Sequence, residues 1–224
     1  VSISHDHPSG SLSVPSYTPH IRRPKTQTFM LIEASNTMTN SYLEDIIERI
    51  NRISHQVEES FGSLSEDQLN WKPKPKVWSI AQNLDHMMKY NKGYFPVFIQ
   101  IANGHKRVKK RERLPLVPDV WGTYYVKAMK TNSRRKLKAH DTHRPSTQAL
   151  STQILDDFMG HQSALIDLIR RLDMEDHEGM VVTSPTNPLA VFSLKDTCRV
   201  IALHEERHLK QMLSAKGKSS FPQK

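Results

Sequence analysis

The chain has one cysteine, Cys198, in 224 residues. That excludes an intramolecular disulfide and suits a reducing compartment. Long apolar runs are missing too. None approaches the roughly 20 residues that a membrane-spanning helix needs, so no membrane partner is expected. The sequence opens without a basic-then-apolar leader, and a cytoplasmic location is the expectation. It begins with Val1 rather than Met, with Met30 and Met38 as candidate starts. Apolar residues make up only 37% of the chain and mean hydropathy is −0.59, so part of it is expected not to pack. Period-two alternation never lasts long enough to specify a sheet, although short strands near Met180–Val182 stay open. There is no internal repeat and no DNA-reading motif. Basic and aromatic residues are not interleaved in the way that a base-stacking surface requires.

Positive charge is abundant but local. The formal net charge is +9 and the pI ≈ 9.6. Between His105 and Arg144 stand thirteen Lys/Arg and three Asp/Glu, which leaves the rest of the chain close to balance. Such a segment can form a positive rim for an anionic substrate or for nucleic acid. With neither a motif nor a stacking pattern in support, a solvated basic insertion is the expectation and nucleic acid is not an expected partner.

Residues 1–38 are rich in Ser, Pro and His, lack periodicity, and are expected to be a disordered tail. His5 and His7 fall in it. Four later segments have helical periodicity. The first starts near Ser41, where Ser41 and Glu44 have capping-box spacing. Ile46, Ile50, Ile53 and Val57 form its apolar stripe, Phe61-Gly62 ends it, and His55 lies off the stripe. The second follows WKPKPKVWS, whose prolines exclude an earlier start. Ser79 and Gln82 have the same capping spacing, Ile80, Leu84, Met87, Asn91, Phe95 and Phe98 share a face, and Gly104 is a plausible stop. The third starts near Pro145 or Ser146 and aligns Leu150, Ile154, Phe158, His161, Leu165, Leu168 and Leu172. The fourth runs from about Ser193 to Leu213 and aligns Leu194, Cys198, Ile201, His204, His208 and Met212. TYYVKAM, within the insertion, has the character of a short extra helix. Four such helices suggest a four-helix bundle.

The fourth helix contains HEERH, His204 to His208, which matches the H-E-x-x-H pattern of zinc metalloproteases. Residues four apart share a helix face, so the two imidazoles can grip one cation. Both continue the apolar stripe and point inward. A protease of this kind takes its third ligand from downstream, but LKQMLSAKGKSSFPQK contains no His, Asp, Glu or Cys. A third ligand must come from upstream. On periodicity alone His161 is the better candidate, since His86 sits at the edge of its helix's apolar face. Glu205, about 100° round the helix from His204, is expected to be a solvated carboxylate, with proton acceptance as the other role. Glu206 is expected at the surface. Cys198 reads as a small core residue and Trp71 and Trp78 as packing residues.

The stretch LSEDQLNWKPKPKVWSIAQNLDHM, with Trp71, Pro73, Trp78, Ser79 and His86, resembles the signature of the DinB/YfiT-like superfamily. So do His204, His208, Leu209 and Gln211 on the last helix. The resemblance implies an all-α, up-down-down-up four-helix bundle, here over residues 39–216; the long basic insertion between helices two and three is larger than that family leads one to expect, and residues 217–224 are expected to be a disordered tail. It implies one divalent metal ion, zinc or nickel, on His86, His204 and His208, with His161 as a core residue or a hydrogen-bond donor to the site. It also implies a metal-dependent thiol S-transferase or hydrolase acting on a small molecule such as a low-molecular-weight thiol, often as a homodimer. Arg207 and Lys210 could then steer an anionic thiol. The alternatives are a non-catalytic bundle that binds metal, a polyanion or a partner, and, least favoured, a zinc protease.

Overall fold

The structure, a computed structural model, describes residues 38–105, 117–129, 140–173, 177, 179–187 and 189–223. The expected tail lies outside these residues apart from Met38, as do most of the two basic runs that flank TYYVKAM.

Helix α1 (Ser41–Phe61) buries the expected stripe, extended by Leu43, Ile47 and Phe61. The Ser41/Glu44 capping box does not form. The helix begins after Asn40, and Glu44 instead accepts from the backbone N–H of Met38 (2.8 Å). The cap comes from a distant part of the chain. The Asp173 carboxylate accepts from the backbone N–H groups of Thr39 and Asn40 and from the Asn40 side chain, which satisfies donors that a helix start leaves open. A short helix, α2 (Glu66–Asn70), follows with its own Ser65/Gln68 capping box.

Helix α3 (Ile80–Lys92) starts with the capping box that the sequence predicts. The Ser79 hydroxyl accepts from the Gln82 backbone N–H, and the Gln82 side-chain Oε1 accepts from the Ser79 backbone N–H. The predicted second helix is not continuous to Gly104. It breaks after Lys92 and resumes as α4 (Phe95–Ala102). Pro96 is the reason: it has no N–H to give Lys92, and its ring clashes with a carbonyl four residues back. It is tolerated only in the first turn of a new helix.

TYYVKAM lies in α5 (Val117–Met129), and a single 3-10 turn covers Asp141–His143. Helix α6 (Gln153–Leu172) starts later than expected. The chain before it is tied to other elements instead. Asn70 clasps the Leu150 backbone with both ends of its amide, and the Ser146 carbonyl accepts from Gln82. Strands β1 (Val181–Thr183) and β2 (Val191–Ser193) pair antiparallel, Val182 opposite Phe192. Helix α7 (Leu194–Lys216) then starts from Ser193, whose hydroxyl accepts from the Asp196 N–H.

Hydrogen bonds between elements give the helix directions. Arg49 meets Glu206 and Ser60 meets Lys216, so α1 and α7 are parallel. Asn40 meets Asp173, so α6 runs against α1. Gln82 meets Ser146 and Asn91 meets His161, so α3 runs with α6. Asn83 meets His208 and Asn91 meets Glu205, so α3 opposes α7. The bundle is therefore up-down-down-up. Two parallel helices in succession require a connection that travels the bundle's length. It lies between α4 and α6, and its helix α5 packs on α7 and β2.

The core is divided. One apolar cluster holds Ile46, Ile50, Phe98, Leu165, Ile169 and Ile201; the other holds Val57, Phe61, Leu84, Met87, Phe158 and Met212. Between them α3, α6 and α7 contribute a buried polar belt: Asn83, His86, Asn91, His161, Gln162, His204, Glu205 and His208.

The expected tail beyond residue 216 is instead laid against the bundle. Phe221 is buried and meets Trp71 edge-on, with ring centroids 5.4 Å apart, and Gln68 donates to the Pro222 carbonyl. A phenylalanine there covers apolar surface that residues 217–224 were expected to leave bare. Phe221→Ala is expected to lower unfolding stability by about 3 kcal/mol, read from urea denaturation followed by circular dichroism; an unchanged midpoint would place the side chain outside the core.

Candidate metal centre

The polar belt brings three imidazoles together. His86 Nε2 lies 3.1 Å from His204 Nε2. One nitrogen from each of His86, His204 and His208 falls within 4.8 Å of the others. All three residues are buried. Two ligand nitrogens at roughly 2.1 Å from one zinc ion stand about 3.0–3.4 Å apart, so the His86–His204 spacing already suits a shared cation.

Hydrogen bonds fix two of the three tautomers. His86 Nδ1–H donates to the His143 carbonyl (2.6 Å), and His208 Nδ1–H donates to Asn83 Oδ1 (2.7 Å). Asn83 is held in that orientation because its Nδ2 donates to the Ser79 carbonyl (2.8 Å). Each ring then keeps an unprotonated Nε2, and that of His86 faces His204; a second nitrogen held by a hydrogen bond is the arrangement a metal-binding histidine needs. His204 differs. Its Nδ1 is buried with no hydrogen-bond partner among the described residues. Without a cation, His204 Nε2–H can donate to His86 Nε2. With one, that proton must move to Nδ1, where burial without an acceptor costs about 1–3 kcal/mol. The donor set fits a divalent cation, and His204 is its least supported member.

The surroundings keep the imidazoles neutral. Burial lowers the pKa of His86, and pushes those of His204 and His208 well down. Neutral imidazole is the form that binds metal. Tyr90 stacks on His204 with ring centroids 3.9 Å apart, and Trp78 stacks on His208 at 5.8 Å and lies 4.7 Å from the His86 ring. Trp78 is thus a wall of the centre as well as a packing residue. Trp71 packs against Phe221 and stays away from the centre.

His161 does not join the cluster. Its ring stacks on Phe95 and its Nε2 meets Asn91 Nδ2 (3.3 Å). Burial pulls its pKa down to about 4. Glu205 is not a solvated carboxylate. It is wholly buried, one oxygen accepting from Asn91 (2.6 Å) and the other from Gln162 (2.9 Å). Burial pushes its pKa up to about 7. Glu206, half-buried, pairs with Arg49 at 2.7 Å. Cys198 is buried, and burial pushes its thiol up to about 12, so it is core and not a nucleophile. The roles of Asn83, Tyr90 and the His143 carbonyl were not read from the sequence. Tyr90 sits four residues after His86 and Asn83 three before it, on one helix face; that spacing was the available signal.

A profile of the DinB superfamily matches residues 49–212. The chain belongs to the DinB superfamily. It is also similar to the uncharacterized protein YuaE of Bacillus subtilis (strain 168), 26% identical over 156 residues, which cover 69% of this chain and 87% of YuaE. No solved structure is significantly similar to it. This DinB-superfamily chain therefore combines its family's bundle with a buried three-histidine cluster able to hold a metal ion. Among the described residues no helix is long and apolar enough to cross a membrane.

The His161 environment generates a pH prediction. Its folded pKa is depressed below the usual imidazole value, so its contribution to stability is present above about pH 6.5 and is lost as pH falls toward 4. His161→Gln does not titrate and still offers Asn91 an acceptor. Between pH 7 and pH 4 the wild type is expected to lose on the order of 3 kcal/mol relative to this variant. The gap in Tm between them, followed by differential scanning calorimetry on chelator-treated protein, should close or reverse in acid. A gap that stays constant with pH would contradict the assignment.

Proposed function

We propose that His86, His204 and His208 hold one divalent cation, zinc or nickel, and that the protein is a metal-dependent transferase acting on a low-molecular-weight thiol. The observation that carries this reading is the pair of fixed tautomers: His86 and His208 both commit Nδ1–H to acceptors, which leaves each Nε2 with a free lone pair, in a cluster where one nitrogen from each of the three rings lies within 4.8 Å of the others. Imidazole donors suit zinc and nickel. Three neutral ligands leave a position open, and a cation bound there supplies Lewis-acid activation of a thiol or a water.

The remaining chemistry belongs to this chain. Trp78 and Tyr90 exclude water from the imidazole faces, which strengthens electrostatic interactions inside the centre. His143, through its carbonyl, sets the direction of His86. Glu205 favours sulfur transfer over hydrolysis. In H-E-x-x-H hydrolases the glutamate is the base that takes a proton from water. Here both its oxygens accept from amides of other helices, and it has no exposed surface. A nucleophile that ionises readily, such as a thiol with pKa roughly 8.5, fits that arrangement better than water does.

A second reading, a non-catalytic metal-binding bundle, is favoured by the tight cover: the three imidazoles are only 4–6% exposed.

Protein purified without an affinity tag is expected to contain one zinc or nickel per chain by plasma mass spectrometry. His208→Ala is expected to lose it. With cysteine, glutathione and coenzyme A as thiols and 1-chloro-2,4-dinitrobenzene as acceptor, the loaded protein should accelerate transfer, and chelation should abolish the acceleration. Full metal content with no transfer to any thiol selects the second reading. Metal-free protein that cannot be loaded overturns both.

A further inference from the structure

A cleft of about 570 Å³ lies between the C-terminal half of α7 and the segment that leads into α3. That volume is within the roughly 300–1,000 Å³ of small-molecule sites. Four cations line it: Lys74 from the α2–α3 segment, Arg207 and Lys210 from α7, and Lys218 from beyond its end. Among the described residues no acidic side chain lines it. Among the described residues, Lys74, Lys210 and Lys218 have no carboxylate partner within salt-bridge distance. Arg207 is held in place by a hydrogen bond to the Ala128 carbonyl (3.1 Å). Trp78 and Val77 supply an apolar surface, and Val77 is 42% exposed although nothing polar in its side chain needs water.

The negative end of a helix attracts lysines, which accounts for Lys218 near the end of α7. It does not account for Lys74, which comes from another segment, nor for the apolar wall opposite. The like charges of Lys74, Lys210 and Lys218 around one concavity repel each other and focus a positive potential into it. An anion relieves that repulsion; a neutral or cationic molecule does not.

Trp78 links the cleft to the histidines. The same indole lines the cleft and stacks on His208. Arg207 and His208 are also consecutive on α7. We infer that the cleft binds an organic anion, a molecule carrying carboxylate or phosphate groups beside an apolar segment, and that this is the substrate of the adjoining centre. The anion specificity rests on the cleft alone, whereas its role as substrate rests on the metal reading given above.

The probe is 1-anilinonaphthalene-8-sulfonate, with the uncharged N-phenyl-1-naphthylamine as its control, both followed by fluorescence on the protein as purified. The sulfonate is expected to bind, to weaken as sodium chloride rises from 50 to 500 mM, and to be displaced by succinate or inorganic phosphate. The triple variant Lys74→Gln, Lys210→Gln, Lys218→Gln changes only exposed side chains. It is expected to keep its metal and its Tm and to bind the sulfonate on the order of tenfold more weakly, about 1.4 kcal/mol. His208→Ala is expected to show the reverse, losing metal and keeping the sulfonate. Equal affinity of wild type and triple variant, salt-independent binding, or equal affinity for the neutral control overturns the inference. Anion binding to wild type that holds no metal leaves the cleft standing and removes the substrate role.

Discussion

Two N–H to oxygen hydrogen bonds, from His86 to the His143 carbonyl and from His208 to Asn83, decide whether the three imidazoles can act together. Without them either ring could present a proton where a lone pair is needed. Both bonds trace to the first turn of α3. Ser79 caps that helix, and its carbonyl orients the Asn83 amide toward His208. Gln82, the other member of the capping box, also donates to the Ser146 carbonyl, and Asp85 accepts from the Ser146 N–H. Those contacts tie down the segment that follows His143. A local helix-start signal thereby orients one histidine on α7 and helps hold the loop that orients another on α3.

The polar belt has a thermodynamic cost that the apolar halves must offset. Placing a glutamate, three amides and four histidines inside a bundle removes them from water, and each is tolerated only where partners compensate. Glu205 illustrates how. Two amides from two different helices meet its oxygens, and among the described residues the buried Oδ1 of Asn91 and Oε1 of Gln162 have no hydrogen-bond partner. Such a network discriminates against wrong packings more than it adds stability. A shift of α7 by one turn against α3 and α6 would keep most apolar contacts plausible. It would also part Glu205 from Asn91 and Gln162, His204 from His86 and His208 from Asn83 together. The belt fixes the register of the helix that carries the HEERH motif.

Much of the fold was legible because local rules and burial agreed. The stripe of α1, the Ser79 cap and the inward pair on α7 follow from spacing alone. The break at Pro96 was also written in the sequence, but a continuous apolar face across Phe95 and Phe98 masked it. The cap on α1 was not legible, since Asp173 lies 133 positions from Asn40. The third histidine shows the limit of periodicity most clearly. His161 lies on the better stripe, yet a stripe says only that a residue faces inward, not which neighbour it meets. His86 sits at the edge of its face, and that edge is turned toward α7. The DinB-superfamily resemblance supplied the pairing that the pattern left open. Glu205 departs from the solvated position that its place on the helix suggests, since α7 is covered on that side as well. With α1, α3, α5 and the hairpin all packed on α7, the helix has little solvent side at the level of the motif.

Charge was legible as a sum and not as a place. All of the positive excess falls between His105 and Arg144, which directs attention to the insertion. The described part of that insertion serves as cover: α5 buries Ala128 and Met129, sets Tyr125 edge-on to Phe192 and takes the Arg207 guanidinium on a backbone carbonyl. The cleft's cations come from elsewhere, from positions 74, 207, 210 and 218, within a portion of the chain whose net charge is close to zero. Among the described residues, folding leaves the three lysines of that set without a carboxylate within salt-bridge distance. Glu206 turns to Arg49 and Glu205 turns inward to amides, while Arg207 and Lys210 of the same two turns remain on the cleft side. The asymmetry of one helix thus places Glu205 and the histidines on one side and the Lys210 ammonium on the other, with Trp78 between them.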